Sequence, residues 1–418
     1  MKQRYRELTD ALCFRAVRDC FKGKWGRRDV SSVVEEYAGI SKRAILAEQA
    51  QGGKCALKNE AIVNIGYEIQ NRLERLLDGD ENALELDPVV FRYEKDGMSQ
   101  KTRKIAYCCI FHQIFDHLAA LALMPLFHAK ILPCQYASIP NRGQTGLKKH
   151  VVKILRKKSS NIRYAKKTDV THAYETTMYS VIIEVIEKEI PSATWIITLL
   201  KALARMSPEG CLIIGGYLDA WLFNYLMSYV LRYALGQSKE KRGKKTYLIK
   251  AAVSFMDDFG YFGSREADIN RDVRAVNAFL GSQMRLGLKD GKKTAFLSFE
   301  EEKRRRSEPS PAARGCPYFD IGGYQVHRGY VTIRKRIFLR LRRQFLRAAE
   351  EVKRCGAMCL QRAYAIIAYY GYIKNSHSKR VAAKLDVRKL HGIAKSVVSH
   401  FARLKNLKQY KRRFNCYV

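Results

Sequence analysis

Acidic residues are scarce in this chain of 418 residues, where 40 Asp and Glu stand against 77 Lys and Arg. The formal net charge of +37 favours a polyanionic partner, with nucleic acid preferred over a membrane surface. With 47% hydrophobic residues, the chain can still bury a sizeable core. Its length allows two or three domains, or one enzyme with several lobes.

Paired cysteine motifs are also missing, although the chain has 11 cysteines. The closest pairs are Cys108 with Cys109 and Cys355 with Cys359, and neither has the spacing of a zinc site. We therefore expect free thiols in a cytoplasmic protein. The charged first six residues precede no apolar signal segment, which also argues against secretion.

No long hydrophobic run is free of polar residues. Residues 212–235 form the most apolar stretch, yet it contains Asp219 and Asn224. Because an aspartate is costly inside a membrane, we expect a buried helix here and no membrane partner.

The remaining pattern mixes helices and strands, which predicts an α+β fold. Residues 1–90 alternate helical patterns with polar loops, and two β-rich segments at 89–94 and 104–108 predict a basic hairpin. Residues 161–170 read as a strand, and residues 181–204 as two helical pieces that break near Pro191. The charged, proline-containing segment 300–316 predicts a solvated loop, and basic helices follow from residue 331.

An acidic pair, Asp257 and Asp258, interrupts two strand-like segments, so it lies at or near the tip of a hairpin. Two adjacent carboxylates repel each other unless a cation neutralises them. Mg²⁺, which prefers carboxylate and phosphate oxygens, is one candidate. A solvated acidic turn is the alternative on spacing alone.

A further acid, Asp169, ends the strand at 161–170, and Tyr174 follows five residues later. Segment 167–174 resembles the first palm motif of reverse transcriptases, and segment 255–258 resembles their aromatic-x-Asp-Asp box. The resemblance covers about residues 90–418, and its specificity lies in the order of its motifs. It implies a right-hand polymerase with fingers and palm at 91–330, an antiparallel palm sheet, a basic helical thumb at 331–418 and a helical N-terminal extension at 1–90.

The resemblance also implies the catalytic residues. Two Mg²⁺ ions, with Mn²⁺ as an alternative, would be held by Asp169, Asp257 and Asp258 together with Val170, and Lys293 would protonate pyrophosphate. Carboxylates from separate strands are needed because both ions must be reached at once.

Other residues are assigned to nucleotide binding on the same resemblance. Arg103, assisted by Lys101, matches the fingers residues that contact the triphosphate, and Arg142 matches a segment that touches template or nucleotide. Gly215 would line the nucleotide pocket, where glycine allows close backbone approach. Tyr174 would act as the steric gate that excludes a 2′-hydroxyl; taken alone, an ordinary core aromatic is the simpler interpretation.

Primer and template contacts are implied near the C-terminus. Gly323 and Tyr324 lie in a segment similar to the primer-grip hairpin, and the basic thumb helix presents Arg336, Arg340 and Arg343. One departure concerns residues 219–220, Asp-Ala, where many bacterial relatives carry Ser followed by Pro or Gln. The added carboxylate would alter nucleotide selection, metal binding or fidelity.

These assignments predict an RNA-directed DNA polymerase that uses dNTPs and works on a dedicated noncoding RNA in a bacterial retroelement or anti-phage defence system. Its nucleic-acid partners would be the RNA template and the DNA product or RNA–DNA hybrid, with an accessory protein or a second copy of the chain as further partners. Three alternatives stay open: a template-independent or protein-primed defence polymerase, an error-prone enzyme of a diversity-generating retroelement, and an inactive RNA-binding scaffold.

Overall fold

The computed structural model describes residues 5–51, 55–95, 102–157, 161–289, 295–297 and 317–414, without the side chains of Lys241 and of residues 405–414. The described residues form a mixed α+β protein in which helices predominate and the sheets are small and antiparallel, so the predicted α+β class is confirmed and the right-hand arrangement stays a prediction. The segment 300–316, together with Lys101 and Lys293, lies outside the described residues.

Four helices build the N-terminal part. They are α1 (Asp10–Phe21), α2 (Arg28–Ala38), α3 (Lys42–Ala50) and α4 (Ala56–Leu77). Thr9 and Ser41 accept hydrogen bonds from the first turns of α1 and α3, which fixes where these helices begin. Their apolar faces belong to the same hydrophobic core as α5 (Ile110–Lys130), against which α1 packs. The proposed boundary at residue 90 therefore does not separate two hydrophobic cores, and the division of the chain into domains stays a prediction.

The predicted basic hairpin is present. Strand β1 (Val90–Lys95) pairs antiparallel with β2 (Thr102–Tyr107), with Glu94 opposite Arg103. Its polar tip falls in residues 96–101, which the structure does not describe. Helices α5 and α6 (Gln144–Arg156) follow the hairpin.

The central sheet has the strand order β6-β7-β3-β8. Its members are β3 (Tyr164–Asp169), β6 (Ala251–Phe255), β7 (Asp258–Gly263) and β8 (Ala295–Phe296), all paired antiparallel. The acidic pair thus lies at a hairpin turn, as predicted. Between β3 and β6 lie the helices α7 (Ala173–Thr176), α8 (Tyr179–Glu189), α9 (Thr194–Arg205) and α10 (Tyr217–Gly236), a short 3₁₀ turn (Pro208–Gly210), and the small hairpin β4 (Ser238–Lys241) and β5 (Lys244–Tyr247).

Alternation along the central strands gives this sheet two different faces. The face that carries Phe259 and Tyr261 joins the core formed with α10 and α11 (Glu266–Met284), and we call it the helix face. The opposite face carries Ala165, Val253 and Phe262, and it joins a second core. We call this the front face, and Asp169 lies on it, two residues beyond Lys167.

The second core contains the C-terminal elements. A three-stranded sheet of β9 (Phe319–Ile321), β10 (Tyr324–Val326) and β11 (Val331–Ile333) packs with α12 (Lys335–Cys355), α13 (Leu360–Lys374), α14 (Lys379–Lys384) and α15 (Val387–Phe414). Helix α12 buries Ile337, Leu341, Phe345 and Ala348, which recur at helical spacing. Arginines occupy much of its remaining surface, as the sequence predicted.

Among the described residues, α5 alone is long and apolar enough to cross a membrane by length and composition. In the folded chain, 78% of its most apolar window is buried. This burial is typical of a core helix. The stretch at 212–235, for which we predicted a buried helix, corresponds to α10 and lies in the core.

Candidate active site

The register of the central sheet brings the predicted carboxylates together. Asp169 at the end of β3 lies directly opposite Asp258 at the start of β7. Asp257 occupies the turn that precedes β7, and its carbonyl accepts a hydrogen bond of 3.0 Å from the backbone N–H of Val170. Met256 takes a left-handed φ of 54° in this turn, which allows the chain to reverse between β6 and β7.

A lysine that we had not assigned to the site lies among these carboxylates. The Lys167 Nζ donates to Asp258 Oδ2 at 2.5 Å and lies 3.9 Å from Asp169 Oδ1. Its side chain is 14% exposed, so the interaction is only partly screened by water. The sequence carried a signal for it, because residues two apart on a strand share a face.

Burial and mutual repulsion disfavour the charged form of these acids. Burial, followed by a hydrogen bond with Asp169, raises the pKa of Asp258 to about 7, although Lys167 opposes the shift. Burial and the charge of Asp169 also raise the pKa of Asp257, and the cations Lys167 and Arg103 oppose it. The cluster therefore favours a proton or a cation among its carboxylates.

The donor set fits Mg²⁺ by its chemistry, since it supplies carboxylate oxygens from the adjacent strands β3 and β7 and from the turn between β6 and β7. No group of three His, Cys, Asp or Glu side chains within the described ranges is arranged to enclose a metal ion. As it stands, the acidic pair of Asp169 and Asp258 is balanced by the ammonium of Lys167. Val170, the fourth predicted ligand, has a buried side chain, and its backbone forms a bridge with Leu288.

Tyr174 lies beside this cluster. Its ring stacks against Phe223 of α10 with a centroid distance of 5.3 Å, and its hydroxyl lies 3.9 Å from the sulfur of Met256. Burial, together with the charges of Asp219 and Asp257, raises the pKa of the phenol, so it stays neutral. Tyr174 is thus a half-buried ring next to the carboxylate turn, a position compatible with the predicted gate.

The predicted cations differ in their surroundings. Arg103 is exposed on β2, and its charge acts on Asp257, as noted above. Arg142 instead donates through Nη1 to the carbonyl oxygens of Leu132 and Gln135, at 2.6 and 2.8 Å. Its guanidinium thereby holds a loop, and its assignment to nucleotide binding stays a prediction. Lys101 and Lys293 lie outside the described residues.

Gly215 is required by close packing. Its φ of +122° is unfavourable for other residues, and an added Cβ would lie 2.6 Å from the carbonyl oxygen of Ala106. A backbone hydrogen bond of 2.8 Å from Ala106 to Ile214 joins the same two segments. The loop before α10 is therefore fastened to the base of the β1–β2 hairpin.

Asp219 is not exposed in a substrate pocket. It is 1% exposed, and its Oδ1 accepts hydrogen bonds from the Ile213 N–H at 2.9 Å and from the Tyr179 hydroxyl at 3.0 Å. Burial raises the pKa of Asp219 to about 6, although these two hydrogen bonds lower it. Its direct role is to hold the loop before α10, and it acts on Tyr174 through its charge.

The predicted primer-side residues divide into two groups. Gly323, with φ +82°, leaves room for Ile337 and Tyr372, and the neighbouring Tyr324 is only 3% exposed. These two residues connect the small sheet to the C-terminal helices. Arg336, Arg340 and Arg343 instead lie on the solvent-facing side of α12, where Arg336 and Arg343 are exposed and Arg340 is half-buried.

A scan against models of known protein families matches none of them, and a search of curated proteins finds no significant relative. The function of this chain must therefore be inferred from its own residues and their geometry.

Proposed function

We propose that the chain is an RNA-directed DNA polymerase of the reverse-transcriptase type. The observation that carries the proposal is the convergence of Asp169, Asp257 and Asp258 at one end of an antiparallel sheet. Asp169 and Asp258 are almost ninety positions apart in sequence, yet they lie side by side. A solvated acidic turn at Asp257 and Asp258 would not need a third acid from another strand. The proposal is further supported by Tyr174 and Arg103, which lie near the same turn.

In this proposal the central sheet is the palm, the β1–β2 hairpin belongs to the fingers, and the helices after residue 331 form the thumb. The arginines of α12 would follow the phosphates of the nucleic acid, since their interaction with a polyanion does not depend on base sequence. The N-terminal helices would support the fingers through the core that they share with α5.

Asp169, Asp257 and Asp258 would hold two Mg²⁺ ions. When bound, the ions would supply activation of the primer hydroxyl and neutralisation of charge on the triphosphate. Lys167 would hold Asp258 in position and limit repulsion among the carboxylates before substrate enters. Arg103 would contact the triphosphate, and the ring of Tyr174 would restrict the space beside the sugar.

The direct test is incorporation of labelled dNTPs by the purified full chain on a primed RNA in the presence of Mg²⁺. The double substitution Asp257→Ala and Asp258→Ala should abolish incorporation while leaving the thermal unfolding midpoint close to that of the wild type. Asp78→Ala, an exposed change at the end of α4, is the matched control and should retain activity. Equal activity in the wild type and the double variant would refute the proposal.

Sequencing of nucleic acid that copurifies with the chain identifies the template. The proposal expects complementary DNA of one defined RNA. Long homopolymeric or repetitive DNA would instead support synthesis without a conventional template, and mismatches concentrated at template adenines would support the error-prone alternative. Bound RNA without any nucleotide transfer would support the scaffold.

A further inference from the structure

A cavity of about 480 Å³ lies at the base of the β1–β2 hairpin, where the N-terminal helices meet α5 and the start of α10. Its walls come from the turn after α1, from residues 105–108, from one face of α5 and from residues 215–217. None of the predicted metal ligands lines it, and neither does Tyr174. The cavity is therefore separate from the carboxylate site, and its size is within the range of small-molecule pockets.

One side of the cavity carries two cations, Lys24 and Arg27, and one carboxylate, Asp29. The half-buried Lys24 donates from Nζ to Gln113 Oε1 at 2.9 Å, and the exposed Arg27 forms an ion pair with Asp29. The first turn of α10, a helix of 20 residues, begins at Tyr217 in the same wall. Two cations next to a helix N-terminus provide a favourable environment for phosphate.

The other side offers a ring surface and a buried carboxyl oxygen that accepts no hydrogen bond from the described residues. His117 and Tyr217 stack with a centroid distance of 3.9 Å, and Tyr217 is 39% exposed. Asp116 is 1% exposed and accepts a hydrogen bond of 3.2 Å from the Tyr217 N–H through Oδ2. Its Oδ1 is buried and has no hydrogen-bond partner in the part of the chain that the structure describes, and His112 Nε2 lies 3.7 Å from it.

A buried polar atom without a partner is costly, so the Asp116 Oδ1 points to a polar ligand or an ordered water. Water alone would not use the adjacent ring surface, which a flat ligand would cover. A nucleotide combines the three features that match the walls: a flat base for the rings, polar base edges for the carboxyl, and a phosphate for the cations.

We propose that this cavity binds a single nucleotide unit, with its base against Tyr217, a base edge at Asp116 Oδ1 and its phosphate near Lys24 and Arg27. The choice of a nucleotide rests on the proposed polymerase function. The unit is either a free nucleotide or an unpaired nucleotide of a bound strand, since both present the same chemistry.

The position of the cavity also gives it a route to the polymerase site. Its wall includes Gly215, whose loop is fastened to Ala106 and is held from within by Asp219. The charge of Asp219 reaches Asp116 on the cavity side and Tyr174 on the carboxylate side. An occupant would thus contact the segment that separates the two sites.

The first test is equilibrium binding of radiolabelled adenosine 5′-monophosphate to the full chain at physiological salt with EDTA, which removes metal-dependent binding at the carboxylates. We expect saturable binding that Asp258→Asn leaves unchanged. The double substitution Lys24→Ala and Arg27→Ala should weaken it by about tenfold or more, because charge-assisted phosphate contacts are lost.

Lys22→Ala with Arg28→Ala is the matched control, because both residues are exposed on the same segment and neither lines the cavity. Tyr217→Ala is a second test of the base surface and should also weaken binding. Unsaturable binding, or equal loss in the control and cavity variants, would overturn the proposal. Thermal unfolding of each variant identifies any loss that is due to misfolding.

Competition distinguishes the two sources of the ligand. A single-stranded RNA oligonucleotide that displaces the label, and fails to do so when one nucleotide is abasic, identifies an unpaired strand nucleotide. Displacement by free nucleotide alone identifies a soluble ligand. Nucleotide binding in EDTA without any dNTP incorporation would refute the polymerase proposal and leave the cavity proposal standing. Incorporation of dNTPs without nucleotide binding in EDTA would refute the cavity proposal and leave the polymerase proposal standing.

Discussion

Aspartates lie on both sides of the central sheet, but their environments differ. On the front face, Asp169 and Asp258 lie beside Lys167 at a partly open end of the sheet. On the helix face, Asp272 of α11 is completely buried, and neither of its carboxyl oxygens has a hydrogen-bond partner among the described residues. Burial alone raises the pKa of Asp272 to about 7.

The difference shows that an acid's surroundings decide its role more than its residue type does. A front-face carboxylate can exchange a lysine or a proton for another cation, because solvent and ligands reach it. The helix-face carboxyl favours its neutral form, since none of the described residues compensates its charge. Substitution of a front-face aspartate should therefore change activity most, and substitution of Asp272 should change stability most.

The largest expected difference concerns activity. Asp169→Asn should lower kcat for dNTP incorporation by about a thousandfold or more, because it removes a charged ligand from the proposed metal site. Asp272→Asn should leave kcat within about threefold, because the substituted side chain does not contact that site. Single-turnover incorporation measures both, and similar losses in the two variants would contradict the contrast.

The next prediction concerns stability. The pKa of Asp272 is raised from 3.8 to about 7. Between pH 3.8 and about 7, the native state therefore keeps a proton on Asp272 that the unfolded state has released. The free energy of unfolding should therefore fall as pH rises from about 4 to about 7, with up to about 4 kcal/mol from this residue.

Chemical denaturation of Asp272→Asn across this pH range should show a smaller decline than in the wild type. Thr168→Val, a change at another buried position of the helix face, is the control and should leave the pH slope unchanged. A variant that declines as steeply as the wild type would show that Asp272 ionises with little cost.

A smaller effect is expected for sugar selection by Tyr174, which lies next to the carboxylate turn. Tyr174→Ala should raise the ratio of kcat/KM for ribonucleotides over deoxynucleotides by about tenfold or more, because the ring no longer fills the space of a 2′-hydroxyl. Tyr174→Phe keeps the ring and should preserve the wild-type ratio. Unchanged selection in the alanine variant would assign Tyr174 to packing against Phe223.

The smallest expected effect compares adjacent lysines on opposite faces. Lys167→Met should tighten Mg²⁺ binding a few-fold, because it removes a cation that competes for Asp258. Lys166→Met is the matched control: Lys166 donates to Asn270 of α11, at 2.7 Å, and should have little influence on the site. Magnesium dependence of incorporation measures both variants, and weaker binding in Lys167→Met would show that the ammonium is needed to orient Asp258.

Local patterns were sufficient for most elements of the fold. The β1–β2 hairpin, the hairpin at Asp257, the break near Pro191 and the basic helix α12 all follow from residue periodicity and turn chemistry. The roles of Asp219 and Arg142 could not be predicted in this way, because their hydrogen-bond partners are set by how separate segments pack. The buried Asp116 also gave no local signal.

The sequence by itself determined the excess positive charge, the mixed helices and strands, and the order of acids and aromatics along the chain. Only the tertiary structure decided that Asp169 faces Asp258, that Lys167 lies between them, and that Asp219 is withdrawn into the core. The physical reason is that strand register and burial depend on contacts between distant segments. A carboxylate's charge and accessibility follow from those contacts.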